Sequence, residues 1–256
     1  MNFFKINHKY NKVNQLGTSK KIITLLVLLA FISNVDAQWF GKKIKGNGNV
    51  ITKTRSVGEY DKVSVAGSFD VKLVAGTEGK LTIKVDENLL EYLITEVKNG
   101  DLKIKWKKGI NVSTKKAILV TVPFKNIEGV SLAGSGDVYS DDVIKTDSFH
   151  TAIAGSGDIK LKVSADNIST AISGSGDIVL SGNTGSIKCL IAGSGDFYGY
   201  ELSAKSASIS IAGSGGVKIS VSDNLKARIS GSGNVYYKGN PRQDVKVSGS
   251  GNVSSK

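Results

Sequence analysis

The chain has 256 residues, a formal net charge of +12, thirty glycines, two prolines and one cysteine. That length suffices for one or two domains with a sizeable core, and the abundance of Ile, Val and Leu excludes a disordered chain. A single cysteine excludes an intramolecular disulfide framework and a cysteine-based zinc site.

Residues 1–37 read as a secretory signal peptide. Lys5, Lys9, Lys12, Lys20 and Lys21 precede the apolar run Ile22–Ile32, and Val35-Asp36-Ala37 puts small residues where a signal peptidase reads. The apolar run is shorter than the about 20 residues of a membrane span, and no cysteine stands at the cleavage point to carry a lipid. Cleavage after Ala37 removes five Lys and one Asp, leaving +8 of the +12. The expected product is an exported, basic chain, in the periplasm, at the cell surface or secreted, with no integral membrane span.

Residues 38–128 form an N-terminal β-rich part. Gly46-Asn47-Gly48-Asn49 and Gly67-Ser68-Phe69-Asp70 look like degenerate copies of a corner that recurs later, the second flanked by Val63, Val65, Val71 and Leu73. Leu81, Ile83 and Val85 alternate with polar residues as a strand. Asp86–Leu93 reads as one or two helical turns with acidic residues at the favourable end. Val97-Lys98-Asn99-Gly100-Asp101-Leu102 is a hairpin, because Asn-Gly suits a type I′ turn. Leu102, Ile104 and Trp106 share one face of the next strand, with Lys103 and Lys105 on the other. Lys115–Val122 is a further strand ended by Pro123. These strands are expected to pack against or cap one end of the repeat region that begins at residue 129, protecting its edge.

Residues 129–256 are governed by one tetrapeptide. Gly134-Ser135-Gly136-Asp137 recurs at 155–158, 174–177 and 193–196, then loosens to Gly213-Ser214-Gly215-Gly216, Gly231-Ser232-Gly233-Asn234 and Gly249-Ser250-Gly251-Asn252, with steps of 18 to 21 residues. A repeat of this length is the mark of a solenoid, whose coils bury their apolar faces only by stacking. Two positions before each first glycine stand Leu132, Ile153, Ile172, Ile191, Ile211, Ile229 and Val247; two before those stand Val130, Thr151, Thr170, Cys189, Ile209, Ala227 and Val245. After each corner comes an inward residue (Val138, Ile159, Ile178, Phe197, Val217, Val235, Val253). This is the period-two pattern of a half-buried strand. Each coil is thus strand, corner, strand and a looser return, with glycine supplying the positive φ of the corner. The predicted class is all-β: a parallel β-helix, right-handed by the crossover rule.

Arg55-Ser56-Val57, Phe69-Asp70-Val71, the turn from Asp86 to Leu90, Asn99-Gly100-Asp101-Leu102-Lys103-Ile104 and the Gly-Ser-Gly-Asp series resemble the head GIN domain family of auto-transporter adhesins over about residues 55–256. The resemblance implies an exported bacterial β-helix protein without an established activity. The sequence carries no run of amphipathic membrane strands of the kind an auto-transporter barrel needs.

Candidate chemistry is sparse. Beyond the leader there are one histidine, His150, and three arginines, Arg55, Arg228 and Arg242, and coils of near-constant length leave no long loops to wall a cleft. No catalytic residue and no cofactor site is assigned. Cys189 falls in an inward column and reads as a core residue. Asp137, Asp158, Asp177 and Asp196 form a ladder of one carboxylate per coil, too few oxygens for a closed calcium site, so they read as turn-capping residues and no metal is assigned. No Lys-Ser/Thr follows the Gly-Ser-Gly strings, so they are not phosphate loops. Positive charge outside the cell points to anionic glycans or headgroups and not to nucleic acid.

The candidate binding face lies in the outward columns after the corner. Tyr139, Lys160, Tyr198, Lys218 and Tyr236 occupy one column, and Lys162 and Tyr200 the next, so that stacking is expected to form a single strip of tyrosines and lysines. Aromatic rings cover sugar faces while ammonium groups hold acids. The expected function is a non-catalytic binding protein or adhesin of the bacterial envelope, its partner an anionic cell-surface glycan. The alternative is a structural or assembly scaffold that recruits an envelope protein; a polysaccharide-active enzyme ranks behind both.

Overall fold

The computed structural model describes residues 41–256; the expected signal peptide and its cleavage point lie outside the described residues. Period-two alternation makes nearly all of this chain strand. β1 (Lys42–Lys45) and β2 (Val50–Ser56) come first, then β3 (Lys62–Gly67) and β4 (Asp70–Ala75) on either side of the Gly67–Asp70 corner. β5 (Lys80–Asp86) leads into a short 3₁₀ helix (Glu87–Tyr92). β6 (Leu93–Lys98), β7 (Asp101–Trp106), β8 (Ile110–Ser113) and β9 (Leu119–Phe124) come next. β10 (Gly129–Gly134) opens the regular repeat. The strands β11 (Val138–Gly155), β12 (Ile159–Gly174), β13 (Ile178–Gly193), β14 (Phe197–Gly213) and β15 (Val217–Gly231) then each run from one corner to the next. The return segment expected to be loose is therefore strand as well. β16 (Asn234–Lys238), β17 (Arg242–Ser248) and β18 (Asn252–Ser255) complete the chain.

Successive coils pair in parallel, giving a β-solenoid of about seven turns. The register is strict at the corners: Gly67, Gly134, Gly155, Gly174, Gly193, Gly213 and Gly231 all stand opposite one another. Coil lengths differ, and the excess is absorbed as bulges after the corner. The two extra residues of the 21-residue coil lie between Tyr139 and Val143, and a single slip falls between Val179 and Gly182. β14 slips by three residues against β15 between Gly199 and Ser203 and back by one before Ser206. Ile153, Ile172, Ile191, Ile211 and Ile229 form one buried stack, each contributing about 1.5–3 kcal/mol by burial.

The corner glycines answer to two constraints at once. Gly155 has φ +139°, and its carbonyl accepts from the N–H groups of Ser175 (2.9 Å) and Gly176 (3.1 Å) of the next coil. A Cβ on Gly176 would lie 2.1 Å from the Gly157 carbonyl oxygen. Glycine is thus needed both for the conformation and for the approach of the neighbouring backbone. Phe69 stands where the second glycine should be and tests the rule. No Gly-Ser-Gly corner belongs to the coil on its open side, which is built from β7 and β9. Its ring packs edge-on against Trp106 at 5.5 Å.

The sequence interruption is the cap of the solenoid. β7 and β9 pair in parallel outside β3 and β4, and β6 and β5 then pair antiparallel with β7 and β9 respectively, with β2 beyond β5. The β6–β7 hairpin has the expected turn, with φ of 53° at Asn99 and 75° at Gly100. Gly46–Asn49 does join two strands, but it is not in the glycine column: Gly48 N–H donates to buried Asp86 (2.6 Å) and Asn47 N–H to Asn88 (2.9 Å). Asp86 also accepts from Thr114 (2.5 Å) and does not cap the 3₁₀ helix. Pro123 does not end its strand; it lies inside β9, opposite Val74. β5 covers only Leu119 to Thr121 of β9, so the missing N–H is not needed there.

Candidate binding face at the corner column

The corner aspartates point along the stack. Oδ1 of Asp137, Asp158 and Asp177 accepts from the N–H of Asp158 (3.0 Å), Asp177 (2.9 Å) and Asp196 (2.8 Å), one coil on. Asp70 begins the series and Asn234 continues it to Asn252. These residues cap the neighbouring coil where the sequence suggested their own turn, and backbone donors satisfy each carboxylate that like charge would otherwise destabilise. Among the described residues no group of three or more metal-ligating side chains converges. Asp177 is raised above the ordinary carboxylate range, by burial first, against the N–H it accepts, with the charges of Asp196 and Asp158 adding to the rise.

The ladder has one gap. Asp196 Oδ1 accepts from Gly216 N–H (2.5 Å), but Gly216 has no side chain to offer Asn234. A hollow of about 270 Å³ results, bounded by Asp196, Tyr198, Lys218, Asn234 and Tyr236. Tyr198 donates its hydroxyl to Asp196 Oδ2 (3.0 Å), and that bond, with burial second, pushes the phenol up to about 12. The Lys218 ammonium sits 4.9 Å from the centre of the Tyr198 ring, a cation–π contact. The outward column of the sequence supplies Tyr198, Lys218 and Tyr236 here but not Asp196 and Gly216. The signal was present in the one corner that reads Gly-Ser-Gly-Gly.

The first outward column is continuous: Tyr139 stands opposite Lys160, Lys160 opposite Val179, and Tyr198, Lys218 and Tyr236 continue it in adjacent coils. The second is not. Bulges set Lys162 opposite Val143 and leave Tyr200 outside the paired register, so the expected single strip is one column with isolated neighbours. Tyr200 is instead covered by Lys238 (4.5 Å) and Lys256 (5.5 Å). Cys189 is buried and its thiol is pushed up to about 12 by burial. His150 is exposed in β11, away from this face.

No helix among the described residues is long and apolar enough to cross a membrane. In fold, the chain is similar to a putative adhesin from Bacteroides fragilis (21% identity, TM-score 0.78), covering 83% of this chain and 100% of that one. It is also similar to two proteins from Parabacteroides distasonis, each covering 84% of this chain and 100% of the other. One is described as a putative lipid binding protein (26% identity, TM-score 0.68) and one as a putative adhesin (25%, 0.70). No curated protein matches the sequence. The family described as "Putative auto-transporter adhesin, head GIN domain" matches residues 59–241, a span that holds the β6–β7 hairpin and the strands from β3 to β16, and the chain belongs to it.

Proposed function

We propose that this is an exported protein of the bacterial envelope that binds an anionic glycan at the column through Tyr198, Lys218 and Tyr236. Membership of an adhesin family supports a binding role without catalysis. The observation that carries the finer reading is the hollow at Gly216, the point on the column where two phenol rings, an ammonium and a carboxylate meet around open space. A sugar ring has apolar C–H faces for the rings and hydroxyls for Asp196, and an acidic substituent suits Lys218. The headgroup of an anionic lipid offers the same acid chemistry, and one structural neighbour is described as lipid-binding.

The test is retention of the wild type and a Tyr198→Ser, Tyr236→Ser variant on purified cell envelopes at low and moderate salt. The variant should fold and be retained at least about tenfold less, as expected for aromatic anchors in an interface. Retention unchanged at both salts would leave the column a solvated face. Retention transferred to protein-free anionic lipid vesicles would assign the headgroup. Export is checked separately: the mature N-terminus should be Gln38, and an intact chain from Met1 in the cytoplasm would overturn it.

A further inference from the structure

A second groove lies elsewhere, on the return segment. It has a volume of about 650 Å³ and crosses β11 to β15, ending at β17. Two rows of side chains wall it, and strand register sets both. One row is Ser148, Asn167, Ser186, Ser206 and Asn224; the other is His150, Ser169, Lys188, Ser208 and Lys226. The residues between them, such as Ile168, Ile187 and Leu225, send their side chains into the core, so the floor is backbone.

Both rows are unusual for strand positions, where Asn is depleted and β-branched residues are favoured. Stacking hydrogen bonds account for part of the first row: Ser186 donates to Asn167 (2.7 Å) and Asn224 to Ser206 (3.3 Å). They do not account for the second, which alternates basic and Ser over five coils. At an inter-strand spacing of about 4.8 Å, Lys188 and Lys226 stand about 10 Å apart, with His150 a further two coils back. Asp147, Asp166 and Asp223 each precede the first row by one residue and do not line the groove. At its end Asp244 is already paired with Arg228 (2.5 Å).

From this we infer that the groove binds an unbranched acidic polysaccharide laid along the stack, with one carboxylate on every second sugar. Hydroxyls of each sugar meet the Ser/Asn row, and alternate carboxylates meet the lysines. Other polymers fit less well. The strands β11 to β15 that make the floor are paired on both sides, so along them no free edge is offered to a peptide strand; only β17, at the end of the groove, is paired on one side. No Phe, Tyr or Trp ring lines the groove to stack a nucleobase. The site is separate from the corner column and does not depend on the reading given for it.

The experiment compares binding of full-length protein to hyaluronan, polygalacturonate and dextran, which carry a carboxylate on every second sugar, on every sugar and on none. Hyaluronan should bind most tightly, with affinity rising with oligosaccharide length until the chain spans the groove. Lys188→Gln with Lys226→Gln should weaken it at least about tenfold without lowering the melting temperature. Asn167→Ala with Asn224→Ala should weaken it several-fold. Equal binding of dextran, a preference for polygalacturonate that the lysine variant leaves unchanged, or capture by anionic lipid vesicles in place of hyaluronan would overturn the assignment. Loss of hyaluronan binding in the Tyr198→Ser, Tyr236→Ser variant alone would move the polymer to the corner column and remove it from the groove.

Discussion

At the scale of single residues, the solenoid tolerates change on its outward columns and almost none at its corners. Gly176→Ala places a Cβ 2.1 Å from the Gly157 carbonyl oxygen. Such overpacking against backbone should cost about 3 kcal/mol or more, whereas Ser175→Ala, at an exposed position one residue away, should change stability by less than about 0.5 kcal/mol. Chemical denaturation of the pair measures the contrast. Ile191→Asp should abolish cooperative unfolding, because the isoleucine stack offers a buried charge no partner; melting like the wild type would show the column to be misassigned. Cys189 should resist thiol reagents in the folded protein, since burial suppresses its thiolate.

Elements are tied together by the aspartate ladder, and its energetics depend on pH. A carboxyl whose pKa folding raises costs no stability below its unfolded value. The cost grows between the two values and is complete above the folded one. Asp177 is such a group. Asn at this position keeps the Oδ1 acceptor, as Asn234 does for Asn252, and removes the charge. Asp177→Asn should therefore melt higher than the wild type at neutral pH, and the difference should close on acidification through the window just above about 3.9, the ordinary Asp value. A difference independent of pH would mean that charge is not the cause. The same ladder predicts that Gly216→Asn, whose Cβ stands 3.1 Å from Asp196 Oδ1, closes the hollow, so that envelope retention falls while the melting temperature changes little.

Across the whole molecule, neighbour-only contacts allow a solenoid to unfold in parts, so the cap and the repeat can melt separately. The described residues contain one tryptophan, Trp106, packed on Phe69 in the first coils, while Cys189 reports on the middle of the stack. With Trp39 replaced by Phe, denaturant transitions read from Trp106 fluorescence and from Cys189 labelling should coincide if cap and repeat form one cooperative unit. An earlier Trp106 transition would make the cap a separate unit. Chelator and millimolar calcium should give the same melting temperature, because backbone N–H groups already occupy the corner carboxylates; a large rise with calcium would restore the ladder as a metal site.

The repeat, the inward columns and the corners were legible in the sequence because they are local. Each coil must alternate with period two and must turn where glycine alone fits, so Ile153 to Ile229 and Gly134 to Gly249 announce themselves at every turn. The type I′ turn at Asn99-Gly100 is local in the same sense. Three-dimensional packing decided the rest. That β7 and β9 lie outside β3 and β4, although later in the chain, results from non-local pairing. That the aspartates serve the next coil and not their own turn depends on where neighbouring N–H groups point. Unequal coil lengths had to be absorbed somewhere, and the bulges that absorb them after the corner broke the second tyrosine–lysine column while leaving the first intact. The groove on the return segment stayed hidden for a related reason. Its rows join residues 18 to 20 positions apart, and their pairing is known only once the bulges have set the register.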